Sequence, residues 1–175
     1  MKKTIVTLIA IAMCFSLSAS DRIGCGLGTV LSWNNGKSSQ EFAVMVDGAN
    51  YFADCSFFDI EYSVGVGYDL LLSYDMKSFI PAVKPAVLME VKYDVNDLMY
   101  TETGVGAYAS FKVGNEKLVE FGTKVDLDLG YKLLERVDLK VGFDMEIPFC
   151  RLANDTQIWF KGFAFSPTLG FAYNY

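Results

Sequence analysis

The sequence predicts an all-β protein, an eight-stranded antiparallel up-and-down transmembrane β-barrel of residues 21–175 behind a cleaved signal peptide of residues 1–20. Three observations predict it. Side-chain character alternates with period 2 from Asp21 to the end of the chain, the mark of strands with two unlike faces. Every charge on the five strands between Phe58 and Phe149 falls on the polar parity of its strand. The apolar parity is too bulky to fill the interior of a barrel of that size, so it faces out.

The leader comes first. Met1-Lys2-Lys3 is basic, Thr4 to Leu17 is apolar, and Ser18-Ala19-Ser20 supplies the small residues a signal peptidase accepts. Removing Lys2 and Lys3 takes the net charge from −6 to −8. No later apolar run is long enough for a transmembrane helix.

The strands follow in order. Ile23, Cys25, Leu27, Leu31 and Trp33 oppose Gly24, Gly26, Gly28 and Ser32. Phe42, Val44 and Val46 then alternate until Asp47-Gly48-Ala49-Asn50 breaks the phase, so Gln40 to Ala53 is expected to bulge or end early. Phe58, Ile60, Tyr62, Val64, Val66, Tyr68, Leu70 and Leu72 oppose Asp59, Glu61, Ser63, Gly65, Gly67 and Asp69. Val83, Val87, Met89, Val91 and Tyr93 oppose Lys84, Glu90 and Lys92; Val105 to Val113 oppose Glu102, Gly104, Gly106, Ser110 and Lys112. Val119 to Leu133 oppose Glu120, Lys124, Asp126, Asp128 and Lys132, and Val137 to Phe149 oppose Asp138, Lys140, Asp144 and Glu146. Phe163, Phe165, Leu169, Phe171, Tyr173 and Tyr175 close the series. Turn signals separate the runs at Asn34-Asn35-Gly36, Ala53-Asp54-Cys55, Ser73 to Ser78, Asp94 to Asp97, Gly114-Asn115-Glu116, Leu134-Glu135 and Ala153-Asn154-Asp155.

Twelve of the 15 glycines share the polar parity, which suits a narrow lumen. An apolar face this long is tolerated only by lipid. In an up-and-down ring Trp33, Tyr74, Phe79, Phe149 and Trp159 gather at one rim, and Phe58, Tyr93, Tyr131, Tyr173 and Tyr175 at the other, as two interfacial girdles. The expected lumen holds the acids Asp59, Glu61, Asp69, Glu90, Glu102, Glu120, Asp126, Asp128, Asp138, Asp144 and Glu146. Its bases are Lys84, Lys92, Lys112, Lys124, Lys132 and Lys140. Across the Leu134-Glu135 turn, one register sets Lys132 against Asp138 and Lys124 against Glu146. The neighbouring register sets Asp128 against Lys140 and Lys124 against Asp144.

Composition excludes several functions. The chain has no histidine, which removes histidine-based nucleophile machinery and histidine-ligated zinc or haem, and no cofactor is expected. The acidic balance argues against a nucleic-acid partner. Cys25, Cys55 and Cys150 lack the spacing of a redox or metal motif. Asp126, Asp128, Asp144 and Glu146 form a possible oxygen-ligand group, but the neighbouring Lys124 and Lys140 favour salt bridges, so no metal is assigned.

Leu169-x-Phe171-x-Tyr173-x-Tyr175 resembles the C-terminal insertion signal of bacterial outer-membrane β-barrels. Over residues 21–175 the chain resembles the small OmpX-type, OmpW-type and opacity-type barrels, with the cysteines a departure from the commonest members. The resemblance implies a location in the bacterial outer membrane, outer-membrane lipid as the surroundings and assembly by the barrel insertion machinery. Barrel enzymes resemble one another in needing a histidine, so no enzyme is expected. The W-type proteins are known for a hydrophobic channel, and the charged lumen expected here departs from it. The expected role is structural, or that of a narrow channel favouring small cations through a mostly plugged, acidic lumen. The alternatives are a surface adhesin of the opacity type, for which the outer connections are short, and a secreted soluble barrel that binds an apolar ligand.

Overall fold

The computed structural model describes residues 21–34, 36–57, 60–75, 81–112, 118–153, 156–159 and 162–175, with only the backbone described at 118, 153 and 156–159. The expected signal peptide, Phe58, Asp59, Phe79 and the outer connection at 114–117 lie outside these residues, as does the side chain of Trp159. The described strands are β1 (Arg22–Asn34), β2 (Lys37–Phe57), β3 (Ile60–Asp75), β4 (Pro81–Asn96), β5 (Met99–Lys112), β6 (Leu118–Leu134), β7 (Val137–Ala153), β8 (Thr156–Trp159) and β9 (Gly162–Asn174).

Each strand pairs antiparallel with the next from β1 to β7, β7 pairs with β9, and β9 pairs back with β1. The short β8 hairpins with the end of β7 and shares the eighth position with β9. Eight staves therefore close on themselves, and among the described strands β8 alone has a single partner, β7. Apart from β8, the strands run 13 to 21 residues, ample for the roughly 9–11 residues that a tilted strand needs to cross a bilayer. No helix among the described residues is long and apolar enough to cross a membrane.

Burial follows parity around the ring. Leu27, Val87, Val105, Val125, Leu127 and Leu169 face out and are exposed, while Arg22, Asp69, Glu102, Lys124, Asp144 and Ser166 face in and are buried. Trp33, Tyr74 and Phe149 stand exposed towards one rim, and Tyr93, Tyr131, Tyr173 and Tyr175 towards the other. Trp33 stacks on Phe163 across the β1–β9 seam at 4.9 Å between ring centroids. The apolar interior that a soluble ligand-binding barrel requires is replaced by charge. Among the described residues Val30, Ala43, Met45, Leu71 and Ala164 form a small buried apolar cluster inside.

Three expectations are corrected. Ala53-Asp54-Cys55 is strand, not turn, because β2 absorbs its phase break in a register shift between Tyr51 and Ala53 and runs on to Phe57. The strand expected from Val137 to Phe149 runs on to Ala153, where it pairs with β8. Glu61 is exposed rather than in the lumen. The β2–β3 hairpin projects past its neighbours: β1 pairs with β2 only as far as Ala49, and β4 meets β3 only from Ser63.

Candidate functional site

The interior is built in layers, starting at the end where Asp21 and Tyr175 lie. Here Asn174 Nδ2 donates to Asp138 Oδ2 at 2.9 Å, and Lys92 Nζ sits 4.4 Å from the centre of the Tyr100 ring. Tyr51 donates its hydroxyl proton to Glu102 Oε1 at 2.6 Å, with Glu90 Oε2 at 3.4 Å. Arg22 contacts Glu102 across the ring and Asp47 at 3.1 Å. Lys132 is half-exposed and pairs with Asp94 at 3.3 Å, so it belongs to the rim.

One layer further in, Lys140 bridges Asp47 at 2.5 Å and Asp128 at 2.6 Å. Lys124 binds Asp69 and lies 3.2 Å from Asp144. Beyond it Lys84 pairs with Glu146 at 2.6 Å. At the far mouth Lys112 pairs with Glu41, whose other oxygen accepts from Ser73 at 2.5 Å, and Arg151 pairs with Glu120. The pairs Lys124–Asp69, Lys140–Asp47, Lys84–Glu146 and Lys112–Glu41 each join strands three staves apart. They cross the bore instead of running along its wall.

The β6–β7 backbone adopts the first of the two expected registers, with Lys124 opposite Glu146 and Lys132 opposite Asp138. The ion pairs do not follow it. Lys124 pairs with Asp144, one step along β7, and Lys140 with Asp128, as the second register would have had them. Long side chains inside a ring lean towards its axis, so diagonal and transverse partners win over the residue directly opposite.

Glycine makes the room. Gly24 faces Asp47, Gly104 faces Asp126, Gly130 faces Tyr100 and Gly142 faces Asp128 in direct cross-strand register. A Cβ at any of the four would overlap the larger side chain opposite. At the far mouth the residual space is ≈ 50 Å³, lined among others by Ser32, Lys84, Ser110, Glu146 and Arg151. Space of this kind holds one water per roughly 10–15 Å³.

Arg22, Glu41 and Asp47 are central to this interior and were not singled out from the sequence. Glu41, Ala43, Met45, Asp47 and Ala49 are all buried on one parity of β2. That alternation was the available signal, hidden because Gly48 and Asn50 occupy the outward parity without apolar side chains. Leu169, Phe171, Tyr173 and Tyr175 all point out and are exposed. Cys25, Cys55 and Cys150 are free thiols, and Cys25 is exposed.

No protein-family model and no curated protein sequence matches the chain. Solved structures do. Neisserial surface protein A is similar at a TM-score of 0.59 and 10% identity, covering 88% of this chain and 96% of its own. Ail, the attachment invasion locus protein of Yersinia pestis, is similar at 0.53 and 10%, covering 89% and 99%. The outer membrane protein OprG from Pseudomonas aeruginosa is similar at 0.52 and 12%, covering 89% and 96%. Ring closure, inward charge and outward apolar belt agree with these likenesses: the chain has the fold of the small eight-stranded bacterial outer-membrane β-barrels.

Proposed function

We propose that the chain is an integral protein of the bacterial outer membrane, non-catalytic, whose interior is plugged by paired charges. Its role is structural, or that of a narrow conduit for small cations. The carrying observation is the set of ion pairs thrown across the bore, from Lys112–Glu41 at one mouth to Arg22–Glu102 at the other. Ion pairs thrown from stave to stave restrain a barrel and leave little room for a solute. Acids outnumber bases among the buried residues, which favours cations over anions in any current that does pass. The outward apolar belt supports a lipid environment, and the exposed Leu169, Phe171, Tyr173 and Tyr175 support delivery by the barrel insertion machinery. The leader at 1–20 supports export.

Planar-bilayer recording tests the plug. The unmodified protein is expected to pass very small, cation-favouring currents or none. Lys84→Ala with Glu146→Ala removes a transverse pair beside the residual space and is expected to raise conductance. Large anion-selective currents from the unmodified protein would refute the acidic plug. Fractionation tests the location: the protein should sediment with the outer membrane and change gel mobility on boiling.

A second reading, surface attachment, is favoured by one observation: an attachment protein is among the similar folds. Against it, only two residues separate β1 from β2, and two separate β7 from β8. Binding of whole cells that display the protein to host-cell surfaces, absent in a deletion strain, would support it.

A further inference from the structure

Asp69 on β3, Asp126 on β6 and Asp144 on β7 each bring one carboxylate oxygen to within 4.8 Å of the other two. All three are buried, and Asp126 is only 4% exposed. The single ammonium among them, Lys124, is spent on Asp69 and Asp144. Asp126 is left over: its Oδ1 is out of solvent and has no hydrogen-bond partner. A separate orphan stands beside the group. Ser166, fully buried on β9 and directly across from Asp144, has an unpartnered Oγ. Gly104, opposite Asp126, clears the volume that the Asp126 carboxylate fills.

Charge and geometry agree on what is missing. If all three carboxylates are ionised, one ammonium leaves two negative charges removed from water, which a bound cation or added protons must offset. The donors are oxygens throughout; the chain has no histidine, and the exposed Cys25 faces outward. All-oxygen sites suit hard cations over zinc or copper. Three oxygens within 4.8 Å of one another put a shared cation at most about 2.8 Å from each, which admits the calcium–oxygen range of roughly 2.3–2.6 Å, whereas magnesium dehydrates reluctantly and is seldom held by all-protein cages. We propose that Asp69, Asp126 and Asp144 bind one calcium-sized divalent cation in the barrel interior, with the Ser166 hydroxyl as a neutral oxygen donor beside it. The ion cross-links β3, β6 and β7, and thereby staves on two sides of the ring. The inference rests on the barrel with its filled interior, not on conduction.

The test uses protein purified from membranes in detergent, stripped with EDTA and then refolded with CaCl₂, with MgCl₂ or with EDTA. Equilibrium dialysis with ⁴⁵Ca should find one ion per folded barrel at about 1 mM, the weak end of protein calcium sites. Ca²⁺ should slow or shift unfolding: about tenfold in the folding equilibrium when the ion is tenfold above its Kd. Mg²⁺ should do less. Asp126→Asn should abolish both binding and shift, Ser166→Ala should weaken them, and Asp97→Asn in the exposed β4–β5 turn should leave them unchanged. The unboiled gel band reports the barrel separately, so loss of the ion is distinguishable from loss of the fold. Substoichiometric binding by the unmodified protein overturns the proposal whether or not the variants fold. So does a calcium response of full size in folded Asp126→Asn.

Discussion

Arg22 on β1 reaches across the ring to the carboxylate of Glu102 on β5, the strand opposite it. The same guanidinium holds Asp47 on β2, so one cation at the start of the chain ties three staves together. Both partners in the transverse pair are almost wholly buried. Their attraction is therefore offset by desolvation, and the pair fixes geometry more than it adds net stability.

That balance gives a prediction. Arg22→Met leaves Glu102 with only the more distant Lys140, at 4.0 Å, as a cation and should cost about 3–5 kcal/mol in urea unfolding from lipid vesicles. Arg22→Met with Glu102→Met removes both charges, while Lys140 keeps Asp47 paired. The double variant should recover most of the loss. A single variant as stable as the double would mean the pair does not hold the closure.

The glycine–carboxylate fit predicts a coupled pair. Gly104→Val places a side chain where the Asp126 carboxylate lies, and overpacking of this kind costs about 1–3 kcal/mol. Asp126→Gly in the same chain should return much of it. The double-mutant cycle should show a coupling of about 0.5–3 kcal/mol. Additive losses would mean that the two residues do not share one space.

The ring was legible in the sequence because parity is a local property. Val125, Asp126, Leu127 and Asp128 declare their faces without reference to any other strand. The residue pairs across the bore were not, because they depend on which staves closure brings opposite each other. Nothing near Lys84 in the chain points to Glu146, and one of the two hairpin registers set that glutamate against Lys124. Arg22 was overlooked for another reason. It sits beside the expected cleavage point, and its partner Asp47 lies where the β2 alternation was masked by Gly48.

Parity also predicts an asymmetry between neighbours. Val125 faces out and Asp126 in. Val125→Arg, near mid-strand, should cost about 2–4 kcal/mol in lipid. Asp126→Asn keeps its volume and should still fold and insert. Heat-modifiable gel mobility after refolding into vesicles measures both. Equal damage from the two, or the reverse order, would mean that the outward face does not meet lipid.

The C-terminal strand predicts two separable defects. Tyr173 pairs with Ile23 on β1 and with Val137 on β7, Asn174 N donates to the Arg136 carbonyl, and Tyr175 N donates to the Asp21 carbonyl at 3.0 Å. Deleting residues 173–175 therefore removes part of the closing seam as well as the terminal aromatic. Phe171→Ser with Tyr173→Ser and Tyr175→Ser keeps the backbone pairing and changes only what points outward. If these side chains are an address read by the insertion machinery, the serine variant should refold in detergent at close to the normal yield. In cells it should accumulate in the periplasm or be degraded. The deletion should fail in both settings. Normal outer-membrane levels of the serine variant would remove the address and leave these aromatics as lipid anchors alone. Failure of the serine variant to refold in detergent would place its defect in the seam.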